Sequence, residues 1–160
     1  MTTPTISSKT AERDFQDTPI DIKLRLSALW IATMFIYAYV DIFNLMRADF
    51  LEGLLDGEIV NTPLTVNQWF LIFAVVYILP ASLMVYFSLT LAPAANRRAQ
   101  IIVSGIYVVT ILLACIGESW IYFLLGSATE VVLFAMIIRL AWRWPSANRG
   151  QAAVPQTNNS

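Results

Sequence analysis

Residues 68–91 read QWFLIFAVVYILPASLMVYFSLTL, and they lie inside the longest uncharged stretch of the chain, which runs from Ile59 through Asn96. A hydrocarbon crossing takes roughly 20 apolar residues as a helix and about 9 to 11 as a barrel strand. The stretch is continuously apolar and does not alternate, so it is too long for a barrel strand and predicts a membrane-spanning helix. Working outward, residues 26–46, LSALWIATMFIYAYVDIFNLM, form a second such run between Arg25 and Arg47, broken by one ionisable group, Asp41. Two more follow at about 99–117 and 120–140. The expected fold is all-α: an integral membrane four-helix bundle with spans at about 26–46, 68–91, 99–117 and 120–140.

Composition agrees. Of 160 residues, 58% are hydrophobic and 13% charged, where a soluble domain carries about 25% charged. Residues 1–25 mix acids, bases, Thr, Ser and Pro, lack the pattern of a secretory signal, and are expected to form a mostly disordered arm. From Ile20 to Leu26, Ile20, Ile22, Leu24 and Leu26 alternate with charged residues, which reads as a surface-lying lead-in to the first span. Residues 145–160, following Pro145, are expected to be a disordered tail. In the long segment between the first two spans, Phe50, Leu51, Leu54 and Leu55 have helical spacing and predict a short amphipathic helix ending near Gly57. The very short Glu118-Ser119 turn makes spans three and four an antiparallel hairpin, and Glu118 itself is expected to be solvated.

Charge sets the expected orientation. Lys9, Arg13, Lys23, Arg25, Arg97, Arg98, Arg139, Arg143 and Arg149 fall on one side of the spans and Arg47 alone on the other. By the positive-inside rule both termini are cytoplasmic. Trp30, Trp142 and Trp144 mark one interface and Trp69 and Trp120 the other.

Much chemistry is excluded. The chain has no His and one Cys, Cys115, so histidine-based nucleophile systems, disulfides and thiolate metal sites within one chain are absent. A net charge of −1 argues against nucleic acid as a partner. No phosphate loop, cofactor motif or metal-ligand set is visible.

What remains is a small set of polar residues in the spans. On an insertion scale a central Asp costs about 2.5 to 3.5 kcal/mol, whereas each Leu, Ile, Phe or Val gains about 0.3 to 0.6. Asp41 therefore nearly cancels its own helix. At 1.5 Å per residue it lies roughly 22 Å from Leu26, in the outer third of a core about 30 Å thick. Tyr37, Asp41 and Asn44, with Thr33 one turn further in, share one helix face that is expected to point inward. Two readings stand: a polar pocket opening outward, or a snorkelling Asp that clamps a neighbouring helix.

Glu130 lies roughly 15 Å into span four, near the midplane. Desolvation there disfavours the charged form, which makes it the stronger candidate proton-binding group; the alternative is a protonated interhelical donor. Gly126 and Ser127 precede it on a small face that lets another helix approach. Pro80 is a candidate kink in span two, with Tyr77, Ala81 and Met84 nearby. Ser104, Tyr107 and Thr110 read as interhelical packing and Cys115 as an inert thiol.

Tyr37-Ala38-Tyr39-Val40-Asp41 followed by Leu45-Met46, then Ala95-Asn96-Arg97-Arg98-Ala99-Gln100-Ile101-Ile102, and finally Ala141-Trp142-Arg143-Trp144 resemble a family of small four-span bacterial membrane proteins classed as a domain of unknown function. The resemblance covers about residues 26–144. It implies four helices and a bacterial inner membrane, with no activity or site attached; those proteins have Ala in place of Val40. A looser similarity to DoxX-like proteins rests on size and span number, which carry no function.

Three functions compete at this stage. The first is a small carrier or channel that binds a polar or cationic solute near Asp41 and Glu130, with a homodimer expected because four short spans enclose little volume. The second is an accessory or assembly subunit bound to a membrane partner protein. An enzyme acting on lipid or quinone is the least favoured, because no nucleophile-base pair is visible.

Overall fold

The computed structural model describes residues 19–59 and 64–144; the arm before them and the tail after Trp144, both expected to be disordered, lie outside the described residues. Five helices make up the fold: α1 (Ile22–Asn44), α2 (Ala48–Leu55), α3 (Gln68–Thr90), α4 (Pro93–Ala114) and α5 (Ile121–Trp142). α1, α3, α4 and α5 are by length and composition able to cross a membrane, and no strand is formed among the described residues beyond an isolated bridge between Glu58 and Thr65.

The helices outrun the apolar stretches, for local reasons. Asp21 caps α1 by accepting the backbone N–H of Lys23 at 2.7 Å, so the charged segment expected as a separate lead-in forms the first turns of α1 instead. The Lys23 ammonium donates to the carbonyls of Leu89 and Leu91 at 3.1 and 2.9 Å, satisfying acceptors that the end of α3 leaves open. α4 begins at Pro93, six residues before Ala99. Proline suits a first helical position because its missing N–H would have had no partner there, and a helix needs only its own hydrogen bonds to continue past the apolar core. Arg97 and Arg98 thus belong to α4 and not to a loop.

α2 ends in a Schellman motif. Glu58 N–H reaches Gly53 C=O at 2.8 Å and Gly57 N–H reaches Leu54 C=O at 3.1 Å. Gly57 takes the left-handed φ of 79° that this ending requires.

α1 packs against α3 and α5, and α4 packs closely against α5 and more lightly against α3. The four long helices therefore close a ring in chain order. Neighbours run antiparallel: the start of α1 meets the end of α3 through Lys23, and its end meets the start of α5, where Tyr122 Oη donates to Asn44 Oδ1 at 2.6 Å. The hairpin expected of spans three and four is α4 and α5.

Polarity is inverted relative to a water-soluble protein. Thr33, Ser88, Asn96, Gln100 and Ser104 are fully buried, while Leu125 and Ile121 are 67% and 81% exposed. In lipid the apolar side chains need no burial, and polar groups hold the helices together. At the end of the ring where α1 starts, Trp30 Nε1 donates to Gln100 Oε1 at 2.6 Å. Gln100 Nε2 donates to Ser88 Oγ and Asn96 Oδ1 at 2.7 and 2.9 Å, and Asn96 Nδ2 donates to Ser88 C=O at 2.6 Å. Ser27 Oγ adds a bond to Val85 C=O at 2.9 Å. Trp30 also meets Tyr107 and Phe134 edge-on, and these two rings stack at 5.4 Å. This amide and aromatic layer seals that end of the ring.

Candidate functional site

Toward the opposite end the ring holds a cavity of about 420 Å³. Each long helix contributes to it: α1 gives Tyr37, Val40 and Asp41, α3 gives Phe73 and Tyr77, α4 gives Thr110, Ile111 and Ala114, and α5 gives Phe123, Ser127 and Glu130. Asp41 and Glu130, expected at similar depths, thus share one cavity. Asp41 is exposed and Glu130 is 4% exposed, which puts one carboxyl at the mouth and the other at the floor.

Among the described residues the carboxyls have no counterion. Neither makes a hydrogen bond or an ion pair with another described residue; the ion pairs formed are those of Arg47. A hydroxyl chain lines the wall instead. Tyr37 Oη and Tyr77 Oη are 3.1 Å apart, and Tyr77 Oη and Thr110 Oγ1 are 2.7 Å apart. Thr110 Oγ1 donates to Tyr107 C=O at 2.9 Å, and Tyr107 Oη donates to Tyr77 C=O. The rings of Tyr37, Tyr77 and Tyr107 meet edge to face at 5.0 to 6.5 Å. These hydroxyls cross from α1 through α3 to α4, so Thr110, read from sequence as packing alone, belongs to the polar wall, while Tyr107 lies outside the lining and bonds the backbone of Tyr77.

Pro80 lies outside the cavity lining and is exposed. It supplies no N–H to Val76 C=O, and the next carbonyl along, that of Tyr77, is the one that receives the Tyr107 hydroxyl. Asn44 also lies outside the lining: it accepts from Tyr122 and clamps α1 to α5. The expected row of Tyr37, Asp41 and Asn44 thus divides, two residues to the cavity and one to a helix contact. Thr33 turns back on its own helix, donating to Leu29 C=O at 2.9 Å.

Gly126 sets the spacing of α1 and α5. A Cβ built there would stand 2.5 Å from Val40 Cγ2, well inside the 3.5 to 4.0 Å of a normal carbon contact. At the small face expected before Glu130, α5 packs tightly against Val40 of α1, and Val40 enters the cavity wall beside it.

Beyond the mouth, Arg47 is 7% exposed and joins three segments. It bonds Asp49 through Nε and Nη2 at 3.2 and 2.7 Å and Glu118 through Nη1 at 3.1 Å. Its guanidinium lies 4.6 Å from the centre of the Trp120 ring. Glu118, expected to be solvated, also accepts the N–H groups of Ser119 and Trp120 at 2.8 and 3.0 Å. Burial pushes its carboxyl up, but those two N–H groups and Arg47 outweigh burial and hold it below its ordinary value. The hydrogen bond to Arg47 likewise lowers Asp49.

Among the described residues no three His, Cys, Asp or Glu side chains converge. Two carboxyls fall short of the six to eight oxygens that a calcium site needs. The cavity instead combines an apolar wall, the four aromatic rings of Tyr37, Phe73, Tyr77 and Phe123, and two carboxyls without a counterion among the described residues, which suits an organic cation.

Four long apolar helices with polar groups turned inward define a membrane protein with an internal carboxyl-bearing cavity. The chain belongs to a family of unknown function, DUF6326, whose model matches residues 18–150. Neither the curated proteins nor the solved structures contain a match to it.

Proposed function

We propose that the protein is a small carrier of the bacterial inner membrane that binds an organic cation in the four-helix cavity, its charge held between Asp41 and Glu130. The observation that supports this reading is the placement of both carboxyls in one cavity without a Lys or Arg partner. A buried carboxylate needs a compensating charge. Glu130, at the floor, therefore carries either a proton or the cation of the solute, with Asp41 adding its charge at the mouth, and binding of one displaces the other.

The charge pattern supports an orientation with both termini in the cytoplasm. Lys23, Arg25, Arg97, Arg98, Arg139 and Arg143 cluster at one end of the ring, while Arg47 at the other is neutralised by Asp49 and Glu118. The cavity then opens to the outer face, and α2, with Leu51 and Leu55 exposed, lies along the outer interface as an amphipathic helix. An accessory subunit would be expected to turn its polar face toward a partner, whereas Tyr37, Ser127 and Glu130 face inward.

The test is equilibrium binding of tetraphenylphosphonium to purified protein in mild detergent, together with proton release followed by an indicator dye. Wild type should bind and release protons, and Asp41→Asn combined with Glu130→Gln should weaken binding at least about tenfold and abolish the release. Circular dichroism checks that the variant keeps its helices. Equal binding by a folded double variant, or binding without proton release, would overturn the proposal.

A further inference from the structure

A second concavity, of about 470 Å³, lies at the other end of the ring, where α1 starts and α5 ends. Ile22 and Arg25 of α1, Met136, Arg139 and Leu140 of α5, and Arg143 at its C-cap line it. It is separate from the carboxyl cavity and owes nothing to the solute-binding reading.

Three guanidinium groups around one concavity repel each other, and no ion pair among the described residues offsets them. None of the three makes an ion pair or a side-chain hydrogen bond with another described residue. The other cations at this end are occupied or elsewhere: Lys23 bonds the end of α3 and Arg97 stands over the Trp142 ring at 5.9 Å. The dipole of α5 accounts for Arg139 and Arg143, since a helix C-terminus attracts cations. It does not account for Arg25, which sits in the first turn of α1, where the dipole repels a cation and attracts an anion. Asp21 already caps the α1 terminus, and an anion in the concavity satisfies all three arginines together.

The wall identifies the kind of anion. Ile22, Met136 and Leu140 give the concavity an apolar side that a free phosphate would not use. On α5 that side continues into Val132, one turn away and 58% exposed, so it joins the lipid-facing surface of the helix. We infer that this concavity binds the headgroup of an anionic glycerophospholipid, with the phosphate among Arg25, Arg139 and Arg143 and an acyl chain along Met136 and Val132. Basic pockets between spanning helices are suited to such headgroups.

Native mass spectrometry of the purified protein, titrated with phosphatidylglycerol or phosphatidylcholine of identical acyl chains, tests the site. Phosphatidylglycerol should be retained in preference to phosphatidylcholine. At about fivefold for each arginine, Arg139→Gln with Arg143→Gln should weaken its retention about 25-fold. Arg98→Gln, outside the concavity, should leave retention unchanged, and excess inorganic phosphate should not displace the lipid. Arg25→Gln alone serves as a second variant should the double variant lose its helicity. Equal retention of the two lipids, unchanged retention in folded variants, or displacement by inorganic phosphate would overturn the inference, the last by showing a free-anion site.

Discussion

Gly126→Ala tests how closely α1 and α5 approach. The added Cβ would stand 2.5 Å from Val40 Cγ2, so roughly 1 Å of separation must open to reach a normal carbon contact. Overpacking of this kind costs about 1 to 3 kcal/mol. Replacing Gly by Ala within a helix returns about 1 kcal/mol, which leaves a net loss of about 0 to 2 kcal/mol. Removing the Val40 methyl groups separates the two contributions. In a Val40→Ala background the clash is gone and the same substitution should stabilise by about 1 kcal/mol, giving a coupling of about 1 to 3 kcal/mol in the double-mutant cycle. Reversible unfolding in mixed micelles of SDS and a mild detergent measures all four proteins. Because Val40 lines the cavity, relief by pushing its side chain inward should also weaken the proposed solute binding. A coupling near zero would refute the close approach, whatever the sign of the single substitution.

The remaining predictions concern the two ends of the ring. Glu118 has a folded-state pKa below its unfolded one, so its ties contribute stability above the unfolded carboxyl range and lose it as pH falls through the folded value. Melting followed across acidic pH should show a steeper loss in wild type than in Glu118→Gln, and parallel curves would contradict the assigned bonds. Ser104 Oγ is the one buried side-chain polar atom without a partner among the described residues. Since an unsatisfied buried hydroxyl costs about 1 to 3 kcal/mol, Ser104→Ala should be neutral or stabilising in the same unfolding assay; a loss above about 1 kcal/mol would mean the hydroxyl is bonded after all.

The helical class was legible in residues 68–91 because an uncharged run of that length has few alternatives. Helix ends were less legible, since they depend on particular hydrogen bonds and not on hydropathy. Arg97 and Arg98 look like loop residues by charge, yet Pro93 starts α4 ahead of them. Asp21 and Lys23 look like part of a polar arm, yet one caps α1 and the other binds the end of α3. Asn96 and Gln100 stood out only as a quoted motif. Their spacing of four puts two amides on one helix face, the available signal for the buried network they form.

Within the site, the cost of a carboxyl in lipid was enough to single out Asp41 and Glu130, but their convergence depends on how each helix is rotated about its axis. At 100° per residue, the angle set by 3.6 residues per turn, Asn44 lies about 60° around the helix from Asp41. That rotation sends it to Tyr122, away from the cavity. Arg47 and Glu118 are 71 positions apart, and neither residue's local sequence announces the other.

The division between satisfied and unsatisfied polar groups also assigns different work to the two ends of the ring. The side-chain amides of Asn96 and Gln100 have protein partners within 2.9 Å, so a ligand there would have to break existing bonds and leave buried groups unpaired. Asp41 and Glu130 have no such partners to lose. Under the proposed reading a solute therefore binds where the carboxyls lie and is stopped by the amide layer. On the same reading, passage to the other face would require α4 to carry Gln100 away from Trp30 and Tyr107 away from Tyr77. The Tyr107 bond lands on α3 beside the break that Pro80 makes in the helix ladder, so on that reading a shift of α4 and a bend of α3 would act on the same carbonyl.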